Sequence, residues 1–243
     1  MINIFGIQLH IYGLLIGLGV WVAWEISLKV ATKKGIPGNI IDSTAWWMIA
    51  GGIIGARVYH VIDLWQRYYS YQPIKVFYLW EGGLAIWGAI IGGVLGIALH
   101  QIINNKLYKL NRINILDIVD CVVVGLPLAQ AIGRLGNWVN GELPGKNGEP
   151  LFAYEAILNV LLFILLWKLS NKKRNLGFLT GVYLIGYGSI RMVLENLRPD
   201  TIIWRIWNIP VAVLFGALAV ITGIFLIKQK KWRHIASTSK KKK

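Results

Sequence analysis

The chain has 243 residues, of which 56% are hydrophobic and only 15% charged, with 12 tryptophans and a positive mean hydropathy. That composition argues against a soluble domain and places the sequence among membrane proteins. The formal charge of +15 is distributed as a topology signal, and no nucleic-acid partner is expected.

The expected fold class is all-α, a polytopic membrane protein with seven transmembrane helices. Seven apolar runs, each about 20 residues, are long enough to cross a hydrocarbon core of roughly 30 Å. They cover 9–28, 44–66, 84–105, 114–133, 151–169, 177–196 and 208–227, the second and sixth despite one arginine each. No basic residue precedes the first run, and Lys29, Lys33 and Lys34 follow it. It therefore reads as an anchor with its N-terminus outside rather than as a cleavable signal.

His10 and Tyr12 open the first run. The second carries Arg57, Tyr59, His60 and Asp63, with His60 read as a hydrogen-bonded packing residue. Glycines at four-residue spacing recur at Gly13 and Gly17, Gly51 and Gly55, and Gly88, Gly92 and Gly96, a pattern that lets helix backbones approach closely. Between the second and third runs, the segment from Trp65 to Trp80 holds four tyrosines and two tryptophans with Arg67 and Lys75. Such a segment suits a membrane interface. Cys121, the sole cysteine, lies in the fourth run and excludes an intrachain disulfide. The four histidines lack ligand spacing, so no metal is expected.

The exit of the fourth run, Gly133 to Gly145, reads GRLGNWVNGELPG: one arginine, two asparagines, one glutamate and four glycines. Arginine and asparagine supply forked donors for phosphate oxygens, and glycines let backbone approach a ligand. Ionisable groups beside a bilayer are costly, so Arg134 and Glu142 constitute a functional-site hypothesis. The competing reading is a polar interhelical turn that carries an ion pair. In the sixth run, Tyr187, Arg191, Glu195 and Arg198 follow at spacings of four, four and three, forming one polar stripe. Its simpler explanation is an intrahelical Arg191 to Glu195 pair. Pro199 and Asp200 then end that helix.

Loops after the first, third and fifth helices, together with the C-terminal tail, hold 18 lysines and arginines, against 5 in the opposite loops. The imbalance puts the tail in the cytoplasm and the N-terminus outside. On that topology His10, Tyr12, Arg57, Trp87, Arg134 and Arg191 all fall in the outer half of the bilayer. Intramembrane arginines also mark transporter pathways, and a glycine-lined scaffold is a third possibility. No internal repeat favours a transporter, and a scaffold leaves the arginines unexplained.

With these residues in view, the chain resembles the bacterial prolipoprotein diacylglyceryl transferases. The block from Gly133 to Gly145 resembles the family signature, with tryptophan where phenylalanine is common. Further matches are His10-Ile11-Tyr12-Gly13, Gly55-Ala56-Arg57, Gly82 through Ile86, Pro150 through Glu155, and Gly186-Tyr187-Gly188 running through Arg191 and Glu195 to Asp200. The resemblance spans nearly the whole chain in order. It implies one membrane-embedded catalytic domain over 1–232, with 233–243 as a basic, disordered cytoplasmic tail.

It also implies a multi-pass enzyme of the bacterial cell membrane whose active site faces the outer leaflet, and which needs no cofactor. The reaction would move the sn-1,2-diacylglyceryl group of phosphatidylglycerol to the lipobox cysteine of a prolipoprotein, the first step of lipoprotein maturation. The products would be a thioether and glycerol-1-phosphate. By this analogy Arg134, Arg191, Tyr12 and His10 are catalytic candidates. Arg134, Asn137, Asn140, Glu142, Gly145, Arg191, Glu195 and Arg57 are substrate-binding candidates. Trp87 stands where many members carry a histidine proposed as the thiol-activating base. Tryptophan cannot accept a proton, which leaves the base open between His10 and a substrate phosphate oxygen. A free cysteine titrates at about 8.5, so a positive field from two arginines raises its thiolate fraction near neutral pH.

Overall fold

The computed structural model describes residues 2–4, 7–9, 11–108, 114–142 and 144–229; for 2–4, 7–9, Glu81 and 104–108 it describes backbone alone. His10 and the expected tail over 233–243 lie outside the described residues.

Among the described residues, seven long helices carry the fold: α1 (Ile11–Lys33), α2 (Gly38–Asp63), α3 (Ile86–Tyr108), α4 (Ile115–Val139), α5 (Leu151–Ser170), α6 (Phe178–Glu195) and α7 (Val211–Lys228). The expected all-helical architecture holds, with two short antiparallel hairpins among the described residues: β1 (Ile2–Ile4) with β2 (Ile7–Leu9), and β3 (Arg205–Ile206) with β4 (Ile209–Pro210). Among the described residues, six helices are long and apolar enough to cross a membrane: α1, α2, α3, α4, α5 and α7. α6 falls outside that group because its 18 residues include Arg191 and Glu195.

Two helix boundaries differ informatively from the hydropathy reading. α2 starts at Gly38 directly after Pro37, because a helix is set by backbone geometry and continues through the polar Asn39, Asp42 and Ser43 before its apolar run begins. α4 continues to Val139, so Arg134 and Asn137 sit on a helix and only the remainder of the signature forms a turn.

The chain divides into two compact units. In the unit spanning Ile36–Ile115, α2 and α3 pack antiparallel with their backbones touching. A Cβ on Gly92 would strike the Gly51 carbonyl, one on Gly55 the Gly88 carbonyl, and one on Gly96 the Trp47 carbonyl. The glycine spacing in these two helices is thus a packing device. Thr44 and His100 hydrogen-bond across the same pair at 3.0 Å.

The unit made of Met1–Gly35 and Leu116–Lys243 contains α1 and α4 to α7. Here the glycine expectation needs correction: a Cβ on Gly13 or Gly17 meets nothing within 4 Å among the described residues. The close approach of α1 to α4 runs instead through Gly19 against the Ala129 carbonyl at 3.0 Å and Gly125 against Ala23 at 2.7 Å. α6 and α7 meet at Gly181 with Gly223 and Gly188 with Gly216. Fully buried Asp120 of α4 caps α6, accepting from the Gly177 and Thr180 amides at 3.2 and 2.9 Å and from the Thr180 hydroxyl at 2.7 Å. A carboxylate there complements the positive end of the helix dipole. Cys121 beside it is buried.

Candidate active site

Within the larger unit, the end of α4, the start of α5 and the end of α6 come together opposite the Asp120 cap. Glu155, one turn into α5, is the junction. Its side chain is 4% exposed and accepts from Arg134 Nη2 at 2.6 Å and from Arg191 Nη1 at 3.4 Å. One buried carboxylate therefore holds two guanidinium groups from two other helices. Burial of that charge is tolerable because both of its oxygens meet cations.

Each arginine is fixed a second time. Arg134 donates from Nη1 to Asn137 Oδ1 at 2.9 Å, one turn further along α4. Asn137 in turn donates to Glu142 Oε2 at 2.9 Å, and Asn140 donates to Glu142 Oε1 at 3.1 Å. The Glu142 amide returns to the Asn137 carbonyl at 2.8 Å, closing the turn. Arg191 donates to Glu195 Oε2 at 3.4 Å, and Arg198 lies 3.5 Å from the same oxygen. Burial and the neighbouring Arg191 pull the Arg198 guanidinium down from its ordinary range. Arg134 Nε is buried with no hydrogen-bond partner among the described residues.

Behind the arginines, Gln130 of α4 donates to the Tyr183 hydroxyl of α6 at 2.9 Å. Tyr183 stacks on Tyr187 with centroids 5.7 Å apart. Gln130 precedes Arg134 by one turn and Tyr187 precedes Arg191 by one turn, so this cross-link sets the α4 to α6 spacing at the depth of the guanidiniums. The Tyr12 ring, at the start of α1, lies against Gly136, where a Cβ would meet Tyr12 Cε2 at 3.0 Å.

Gly145 and Arg57 make contacts of other kinds. Gly145 belongs to a tight turn in which its amide donates to the Glu149 carbonyl at 2.7 Å and a Cβ would collide with the Glu149 carboxylate. That carboxylate accepts from the Asn147 amide and side chain at 2.9 Å each. These bonds hold the Glu149 carboxyl below its usual range. The turn is tied to the end of α6 by the Lys146 amide donating to the Leu197 carbonyl at 2.9 Å.

Arg57 lies in the other unit, 7% exposed. Its Nε donates to the Val76 carbonyl at 2.8 Å, Nη1 to those of Gly82 and Gly83 at 2.6 and 3.2 Å, and Nη2 to those of Lys75 and Tyr78. Five N–H groups thus meet five backbone carbonyls, clasping the loop that follows α2. His60 packs edge-on against Tyr69 with centroids 6.0 Å apart.

The ion-pair readings of the signature and of the stripe have Glu142 and Glu195 holding the arginines. Glu195 does so for Arg191, while Glu142 reaches Arg134 only through Asn137. Glu155, quoted as a motif match, was not among the site candidates. Its signal was the single carboxylate of a largely apolar 20-residue helix.

As a class, this is a multi-pass membrane protein in which two partly exposed arginines share one buried carboxylate among the helix ends. The family model described as prolipoprotein diacylglyceryl transferase matches residues 1–228. The chain is 35% identical over 244 residues to the phosphatidylglycerol-prolipoprotein diacylglyceryl transferase of Finegoldia magna, covering 94% of each chain. It is 34% identical over 246 residues to the enzyme of that name from Clostridioides difficile, covering 94% of this chain and 95% of the relative. It is 34% identical over 254 residues to that from Streptococcus pyogenes, covering 95% and 94%. The chain belongs to the prolipoprotein diacylglyceryl transferase family.

Proposed function

We propose that this chain is the enzyme that transfers the sn-1,2-diacylglyceryl group of phosphatidylglycerol to the lipobox cysteine of prolipoproteins, the first step of lipoprotein maturation. The cysteine sulfur attacks glycerol C3, the S–C bond forms, and the C3–O bond breaks with its electron pair leaving on glycerol-1-phosphate. Donors aimed at the departing phosphate dominate such a reaction in a poorly solvated site. The single observation that carries the reading is the Glu155 bridge, which holds Arg134 and Arg191 side by side with donors remaining for phosphate oxygens.

Asn137, Asn140 and Glu142 shape the turn beside the headgroup, and Glu195 fixes Arg191. Gly145 acts through the turn it permits. Arg57, with every donor engaged by backbone, serves the fold rather than the phosphate. Tyr12 borders the site through Gly136, and His10 or a phosphate oxygen takes the thiol proton, because Trp87 cannot. All seven helices cross the bacterial cell membrane with the N-terminus outside, α6 shielding its charges within the bundle, and the arginines face the outer leaflet. The whole of 1–232 acts as one catalytic domain.

The test is a mass measurement on a lipobox peptide incubated with the purified protein and phosphatidylglycerol. The expected result is a diacylglyceryl adduct on cysteine with matching glycerol-1-phosphate release. Lipid movement between leaflets without an adduct would favour a transporter and overturn the reading.

A further inference from the structure

We infer that the β3–β4 hairpin is an interfacial anchor whose tip, Trp207, seats in the lipid headgroup layer beside the start of α7. The two residues of the turn, Trp207 and Asn208, have φ of 48° and 64°, the paired left-handed conformation of a type I′ hairpin. Asparagine enters that conformation readily, whereas a bulky side chain crowds its own backbone there. Trp207 is nevertheless 93% exposed. No packing within the described residues offsets the unfavourable conformation, so the ring gains its compensation from outside the chain.

The surroundings identify what covers it. Trp204, Ile206 and Ile209 are also exposed on the hairpin. The Val211 amide, the first residue of α7, donates to the Trp204 carbonyl at 2.9 Å and ties the hairpin to the helix. α7 is a span-length apolar helix with Leu214, Phe215 and Leu218 exposed, the surface that acyl chains cover. The hairpin continues this surface past the helix end, where an amphipathic indole is suited to headgroups. Its root, the turn at Asp200–Ile202, follows Arg198, so the anchor also fixes how deep the arginine cluster lies.

The experiment uses the full chain in nanodiscs of phosphatidylcholine and phosphatidylglycerol. Because Cys121 is the sole cysteine, Trp207→Cys in a Cys121→Ser background takes an environment-sensitive fluorophore at the tip alone. The expected signal is blue-shifted, quenched by headgroup spin-labelled lipid and protected from iodide. Water-like emission open to iodide would overturn the inference, as would shielding that appears only on adding lipobox peptide. With native tryptophan, Trp207→Asn keeps the turn, and the emission it removes, read as the wild-type minus variant difference, should be quenched by brominated lipid; an unquenched difference would also overturn it. Neither readout depends on turnover, so failure here leaves the transferase reading standing and the converse also holds.

Discussion

Replacing Glu155 by glutamine isolates the element on which the arginine pair depends. Glutamine keeps the size and shape but exchanges one acceptor oxygen for a donor amide, so one guanidinium then faces N–H. Glu155 Oε1 meets Arg134 at 2.6 Å and Oε2 meets Arg191 at 3.4 Å. A hydrogen bond to a charged group contributes about 1.5–3 kcal/mol. Breaking a fully buried ion pair costs about 3–5 kcal/mol, an upper bound here because the guanidiniums remain 22% and 18% exposed. A loss of about 2–3 kcal/mol in transition-state placement corresponds to roughly a thirtyfold to 150-fold fall in kcat/KM. Removing a negative charge from between two positive ones should leave the KM for phosphatidylglycerol unchanged or lower, so the loss appears in kcat. The assay is initial-rate transfer to a lipobox peptide, read by mass shift, with folding checked by thermal unfolding. Wild-type kcat in a folded Glu155→Gln protein would refute the role given to the bridge.

Arg134→Lys and Arg191→Lys keep charge but lose the planar fork; each should lower kcat about a hundredfold to a thousandfold, and near-normal turnover by either would remove that arginine from phosphate recognition. Trp87→Phe should retain most of the transfer activity, whereas a folded but inactive protein would assign Trp87 a chemical role. Gly92→Ala drives a methyl group into the Gly51 carbonyl and should cost about 1–3 kcal/mol of stability; an unchanged unfolding midpoint in detergent would contradict the backbone contact of α2 and α3. Glu149 has a depressed folded pKa, so its contribution to the 145–149 turn is complete above the ordinary value of 4.5 and is lost as pH falls through the lower folded value. Hydrogen exchange at the Asn147 amide should stay slow from neutral pH down to that range, and protection already lost at mildly acidic pH would contradict this assignment.

Helix existence was legible in hydropathy because a bilayer-crossing segment must be long and continuously apolar; α5, at Leu151–Ser170, nearly coincides with the run read from sequence. The stripe from Tyr187 to Arg198 was equally legible, since spacings of four and three place residues on one helical face. What helical periodicity cannot supply is the partner across space. Glu155 lies 21 residues from Arg134 and 36 from Arg191, and no local pattern links them. The partners of Arg57 were hidden for a different reason: they are main-chain carbonyls, which carry no side-chain signature. Gly13 and Gly17 show the opposite failure, a packing pattern without a close neighbour among the described residues, while the working contact of α1 uses Gly19. The Trp207 turn was missed because its residue type argues against the backbone it adopts.

Arg134 and Arg191 are proposed to hold a lipid phosphate jointly. A structure with a non-cleavable phosphonate analogue of phosphatidylglycerol tests it most directly. The expected result is phosphonate oxygens within hydrogen-bond distance of both guanidiniums, with Glu155 still bridging them from behind. A headgroup bound elsewhere, touching neither arginine, would contradict it.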